Sequence, residues 1–205
     1  MLHATQLMDS RVPRVRHDEP RDSCVRLLGP RHHLLVVDDG GRLAGLLTRR
    51  HLEATSAHRV AGALAHPAAT VTRATSAWDA LQALLDSPLR GVVVIDDDGR
   101  PDGLVSMEDA VQVARFVLPP RWKVGDLIRP GPPPSSPGVE APGGEALSHH
   151  HEARMGADRL AVSGRPIPVA GDDGQLIGAV TDLDVVRALV RWLRSAQPML
   201  VDPIP

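Results

Sequence analysis

Tyrosine is absent, phenylalanine occurs once and tryptophan three times in 205 residues, so Val, Leu, Ile and Ala must fill the interior. The same shortage removes the stacking platforms on which single-stranded nucleic acid is held. Lysine is almost absent too: every basic residue except Lys123 is arginine, and the arginines are spread along the chain. With 23 basic residues against 25 acidic ones the formal net charge is −2, and no basic stripe forms. Nucleic acid is therefore not an expected partner. There is one cysteine, Cys24, which rules out an internal disulfide. It lies in "DSCVRLL", where a small buried apolar residue is the ordinary role. No apolar run approaches the roughly 18 residues that a bilayer span needs, and "MLHATQLMDSR" lacks a cationic region followed by an apolar block. A soluble, cytoplasmic protein with no membrane partner is expected.

What is present is a globular composition, 42% hydrophobic and 23% charged, and a repeat. "VVDDGGRLAGLLTRRHL" from Val36, "VIDDDGRPDGLVSMEDA" from Val94 and "VAGDDGQLIGAVTDLDV" from Val169 align without a gap, at offsets of 58 and 75. Each reads as a strand, an acidic turn with glycine, a second strand, and a helix opened by a hydroxyl residue. Asp and Gly accept the backbone angles that a tight reversal needs.

Upstream of each hairpin stands a helix candidate: "EPRDSCVRLL", "SAWDALQALLDS" and "GGEALSHHHEARM". In the second, Trp78, Leu81, Leu84 and Leu85 form one apolar stripe, with Ser76 as cap. A short extended segment, "AATVTRA", precedes it. The unit is strand, helix, strand, strand, helix, present three times, and a unit of this size must pack against a sibling to bury its sheet. The third copy leaves its register open, since either "LAVSG" or "PIPVAG" alternates acceptably as the first hairpin strand. Its extra length comes from "RPGPPPSSPGVEAPGG", residues 129–144, expected to be a loop because successive prolines remove backbone donors.

The hydroxyl at each helix start has two readings. Ser or Thr with an acid three residues on makes a capping box, each side chain bonding the other's backbone N–H. A helix start also presents unpaired N–H groups and a partial positive charge, so it favours a phosphate, and a carboxylate there can accept from both hydroxyls of a ribose. The pairs in question are Ser106 with Asp109 and Thr181 with Asp184; the first copy keeps Thr48 but has His51 in place of the acid. Val71 and Thr72, and Ile167 with Pro168, lie on apolar strand segments and are the candidate walls of a site beside these helix starts.

No Gly-x-Ser-x-Gly elbow, phosphate-binding Walker loop or Cys/His metal spacing occurs, so catalytic residues and a cofactor are not expected. The Asp pairs at 38–39, 97–98 and 172–173 fall in hairpin turns and read as solvated loop acids. His149, His150 and His151 invite a metal. Placed on a helix, however, neighbouring side chains diverge by about 100° and the i, i+4 position is Ala153, so a solvated helix face is expected and no metal.

Together the three repeats resemble the cystathionine-β-synthase (CBS) domain family, marked by an acid-Gly turn and Gly-apolar-x-[Ser/Thr]-x-x-Asp leading into the last helix. The similarity runs from about Leu7 to Trp192, and "ATQLMDSRV", "VAGALAHPAATV" and "VGDLIRPG" resemble the family's short helical lead-in. The resemblance implies an α+β fold of tandem CBS motifs: the first, residues 1–57, paired about a pseudo-twofold axis with the second, 58–118, and a third at 119–205. It implies clefts for ATP, ADP, AMP or S-adenosylmethionine as a regulatory ligand. Ser106 and Thr181 would take phosphate, and Asp109 and Asp184 the ribose; the first copy departs from the pattern, with His51 where the ribose carboxylate stands in the others. The odd third motif implies a homodimer, and a sensor implies a protein partner that reads it. The competing expectation is a scaffold whose clefts have lost ligand and whose repeats only mediate association.

Overall fold

The computed structural model describes residues 2–55, 59–128 and 146–196, and divides into two compact units, Leu2–Ser106 and the chain from Met107 onward. The expected loop at 129–144 lies outside the described residues.

The first unit holds two repeats. One comprises β1 (Arg14–Arg16), α1 (Arg21–Leu28), β2 (His33–Val37), β3 (Leu43–Thr48) and α2 (Arg49–Glu53). The other comprises α3 (Ala61–Leu64), β4 (Ala69–Thr72), α4 (Ala77–Asp86), β5 (Gly91–Ile95) and β6 (Pro101–Ser106). In each three-stranded sheet the first strand runs parallel to the second and the second antiparallel to the third. The registers superpose on the sequence offset: Val36 faces Gly45 and Val94 faces Gly103, each followed by a bulge. The turns match as well. Asp38 Oδ1 accepts from the N–H groups of Gly40 and Arg42 at 2.9 and 2.8 Å, and Asp96 Oδ1 from those of Asp98 and Arg100 at 3.0 and 2.8 Å. Gly41 and Gly99 then take φ of 77° and 78°, angles that other residues rarely adopt.

Successive strand residues point to opposite faces, and both faces of the first sheet are closed. Leu34 and Val36 join Cys24, Leu28 and Leu52 beneath the helices. Leu35 and Leu46 on the other face meet Val93 and Leu104 of the second sheet, with Val12 alongside. These four are equivalent positions at the offset of 58, so the two sheets pack through one self-complementary patch, as the pairing of the first two motifs requires.

The short lead-in segments trade places. Residues before β1 sit on the second repeat: Ala4 N–H donates to the Thr75 carbonyl at 2.8 Å, and Asp9 and Leu104 exchange backbone bonds of 2.9 and 3.1 Å. Residues before β4 sit on the first repeat, where Ala61 N–H donates to the Glu19 carbonyl at 2.8 Å and Leu46 and His66 exchange bonds of 2.9 and 3.1 Å. Each repeat thus completes its sibling.

The second unit contains α5 (Met107–Val117), α6 (Val124–Leu127), β7 (Leu147–Ser148), α7 (Ala153–Ser163), β8 (Ile167–Ala170), β9 (Leu176–Val180) and α8 (Asp182–Ala196). Its sheet repeats the pattern, with Leu147 beside Val169 and Val169 facing Gly178. The lead-in behaves differently here. Val124 N–H donates to the His151 carbonyl at 2.8 Å and Ala153 N–H to the Trp122 carbonyl at 2.8 Å, so the third repeat is completed by its own lead-in. Helix α5 packs along α7 and α8, where buried Ala110, Ala114, Ala157 and Ala188 permit close approach, and Arg115 forms an ion pair with Asp158.

The structure settles the third register: "PIPVAG" contains β8, while "LAVSG" forms the end of α7, closed by Gly164 at φ 62°. It also corrects the third helix candidate. Helix α7 begins at Ala153, because Leu147 and Ser148 are drawn into the sheet beside Val169 and Ala170 and the histidines turn the chain from strand to helix. On this sheet the counterparts of Leu35 and Leu46 are Pro168 and Ala179, both partly exposed.

Candidate functional site

Each hairpin delivers its hydroxyl residue from the end of a strand to the start of a helix. In the third repeat Thr181 follows β9 and α8 begins at Asp182. Asp184 turns back on Thr181, its Oδ2 accepting from the Thr181 N–H at 3.0 Å and from the Thr181 hydroxyl at 2.5 Å, while Asp184 N–H donates to Thr181 Oγ1 at 3.4 Å. This is a reciprocal capping box, and both residues remain partly exposed. Ile167, opposite Val180, lies one residue from Thr181 in the ladder and is buried. Pro168 points to the other face, so the two do not form a single wall.

In the first repeat Thr48 ends β3 and caps α2, and its N–H donates to His51 Nδ1 at 3.3 Å. Histidine stands in for the carboxylate as cap acceptor, which requires an unprotonated Nδ1. The His51 ring stacks on His66 with centroids 4.0 Å apart. Burial, with the nearby charges of His66 and Arg50, lowers its pKa below the ordinary 6.5. The helix behind this cap has only five residues, so its dipole is weak.

In the second repeat Ser106 ends β6 opposite Gly91 and is 9% exposed. Asp109, in the first turn of α5, is partly exposed and belongs to the second unit. Val71 is half-buried beside Val94, and Thr72 is exposed, its N–H donating to Thr75 Oγ1 at 3.0 Å. Asp102, which sequence reasoning passed over, binds the Arg73 guanidinium through both oxygens at 2.5 and 2.6 Å. The Arg73 hydrogen bond holds its carboxyl below the usual carboxylate range. An open hollow of about 600 Å³ lies at the first hairpin turn, lined by His17, Asp38, Asp39, Gly40, Ala44 and Gly62, none of them an expected binding residue. Among the described residues no helix is long and apolar enough to cross a membrane.

The sequence profile of the CBS domain family matches residues 4–54 and 60–115. Inosine-5'-monophosphate dehydrogenase of Mycobacterium leprae is 33% identical over 98 residues, 46% of this chain but 18% of that protein, so the chain spans only a small part of this curated relative. A Methanocaldococcus jannaschii protein described as a putative archaeal homolog of g-AMPK superposes over 92% of this chain and all of its own, at a TM-score of 0.70 and 12% identity. That likeness shows the fold. Arabidopsis thaliana CBSX2, solved in complex with AMP, covers 56% of this chain and 96% of its own at 25% identity and a TM-score of 0.51. Two adjoining profile matches over more than half of the sequence, on repeats whose sheets close against each other, establish that this chain belongs to the CBS domain family.

Proposed function

We propose that this chain is a cytoplasmic, non-catalytic regulatory protein that binds an adenine nucleotide or an adenosyl compound at its CBS motifs. The observation that carries the reading is the likeness to CBSX2, solved with AMP, over 56% of this chain. Thr181 and Asp184 give it a chemical basis: a hydroxyl at the start of a 15-residue helix to meet phosphate, and a carboxylate to accept from a ribose diol. By motif position Ser106 and Asp109 carry the same roles, and Thr48 has the weakest claim because His51 follows it. Binding would act by shifting the population of arrangements of the repeats, by no more than the difference in affinity between them, and a partner protein would read the shift.

Titration calorimetry with ATP, ADP, AMP and S-adenosylmethionine tests this. Binding of at least one ligand, abolished by Asp184→Ala or Asp109→Ala, is expected. A specific observation favours the scaffold reading as well, since Asp184 is already engaged as a cap; silence with all four ligands would establish that reading instead.

We also infer a homodimer through the third sheet. Leu35, Leu46, Val93 and Leu104 bury one another, whereas Pro168 and Ala179 at the same positions are partly exposed and Ile177 is 36% exposed. A second copy supplies the matching face. Light scattering should give twice the chain mass, and Ala179→Arg should give the monomer.

A further inference from the structure

We propose a transition-metal site of the zinc type on the third repeat, formed by His149, His150 and Asp172. Each residue offers one ligand atom, and the three atoms lie within 4.8 Å of one another. His150 Nε2 stands 2.9 Å from Asp172 Oδ1 and His149 Nε2 stands 3.7 Å from the same oxygen. An ion held at about 2.0–2.2 Å by tetrahedral ligands needs them roughly 3.3–3.6 Å apart, between the two separations here, so small adjustments close the set.

The backbone explains why two adjacent histidines converge. They occupy the turn between β7 and α7, not a helix, and their ring centroids are 3.9 Å apart. The β7 ladder, Leu147 beside Val169 and Ser148 beside Ala170, brings this turn against the hairpin turn that carries Asp172. His149 is held from several sides. Its N–H donates to the Ala170 carbonyl at 3.1 Å, its own carbonyl accepts from Gly125 N–H at 3.0 Å, and its Nδ1 lies 3.3 Å from the Ala170 carbonyl oxygen. A carbonyl can only accept, so Nδ1 carries the proton and Nε2 is left with the lone pair on the side of Asp172. Ligating histidines are commonly oriented by this kind of backbone bond.

The donor set selects the ion. Two imidazole nitrogens and one carboxylate suit Zn²⁺ and its neighbours, whereas Mg²⁺ and Ca²⁺ ask for six or more oxygens. His150 and Asp172 are well exposed, with side-chain exposures of 68% and 79%, so a hydrated cation reaches the site and a fourth position stays open to water. The ion would fasten the two-residue strand β7 to the β8–β9 turn.

The test is calorimetric titration of zinc sulfate into the full chain, freed of any affinity tag and treated with chelator, together with thermal melts at pH 7.5. One Zn²⁺ per chain and a higher melting temperature are expected, both unaffected by excess Mg²⁺. His150→Ala and Asp172→Asn, at exposed positions that leave the fold intact, should each weaken affinity by about tenfold or more. His149→Ala should do the same, and Cys24→Ser should change nothing. Absence of binding, or affinity unchanged in both exposed-site variants, would overturn the site and leave His150 and Asp172 as a simple ion pair.

Discussion

Gly45 lies against His66 so closely that a Cβ added to it would stand 2.8 Å from the His66 carbonyl oxygen and 2.9 Å from the Ala65 side chain. Gly103 meets the other lead-in in the same way, 2.7 Å from the Asp9 carbonyl oxygen. These glycines open the Gly-apolar-x-[Ser/Thr] pattern because the exchanged lead-in segment bonds to the strand residue beside each of them. Among the described residues Gly178, the third member, has only Ile128 nearby, at 3.6 Å. Gly45→Ala and Gly103→Ala should therefore each destabilise the first unit by about 1–3 kcal/mol, as overpacking does. Gly178→Ala should be close to neutral. Urea denaturation of the three variants checks the contrast, and an equal loss in all three would refute it.

The repeat, the hairpin registers of its first two copies and the cap of the second helix candidate were legible in the sequence because they depend on local chemistry at constant spacing, whereas two segments of the third copy alternate equally well and only the structure separates them. Ser76 illustrates this: it caps α4 as expected, accepting from Asp79 N–H at 3.1 Å. The lead-in exchange was not legible, since it is decided by which repeat offers a bonding edge, and only the glycines hint at it. The histidine turn was misread as helix for a related reason. Leu147 is buried at 1% in the sheet, a tertiary contact that outweighs the helical preference of the residues around it. For the binding residues the sequence supplied the partners of Thr181 and Thr48 but not what those partners do, because a capping box and a ribose grip use the same atoms.

Ser76 also gives a direct energetic expectation. Its side chain satisfies one of the unpaired N–H groups at the start of a ten-residue helix whose Ala77, Ala80, Leu81 and Leu84 are buried. Ser76→Ala should cost about 1 kcal/mol, and Ser76→Asp should recover most of it, as read from denaturation midpoints. Equal losses in the two variants would mean that the serine acts through packing.

His51 should make the first repeat sensitive to acid. Its pKa in the fold is lowered by burial, so the unfolded chain binds the proton more readily, and stability rises with pH wherever that holds. The stabilisation is present above about pH 6.5, the ordinary histidine value, and is lost as pH falls from there toward the lowered value in the fold. Protonation of Nδ1 would also remove the acceptor of the Thr48 N–H. His51→Asn keeps a neutral acceptor. The drop in melting temperature between pH 7.5 and 5.5 should therefore be smaller in this variant than in the parent chain; an equal drop would assign the pH dependence to other histidines.

Asp184 is the residue at which capping and ligand binding can be separated. Both of its roles use the carboxylate, but they ask for different numbers of acceptors. The cap needs one oxygen, Oδ2, which takes the N–H and hydroxyl of Thr181. A ribose diol needs two acceptor oxygens, and an amide has one. Asp184→Asn should then hold the helix start, with a stability change within about 0.5 kcal/mol, because one amide oxygen can accept both the N–H and the hydroxyl of Thr181. Its affinity for an adenine nucleotide should fall by about tenfold or more, since a hydrogen bond to a charged group is worth about 1.5–3 kcal/mol. Asp184→Ala should lose both. If the asparagine variant keeps full affinity, Asp184 acts on the ligand only by shaping the start of α8, and the ribose must be held elsewhere.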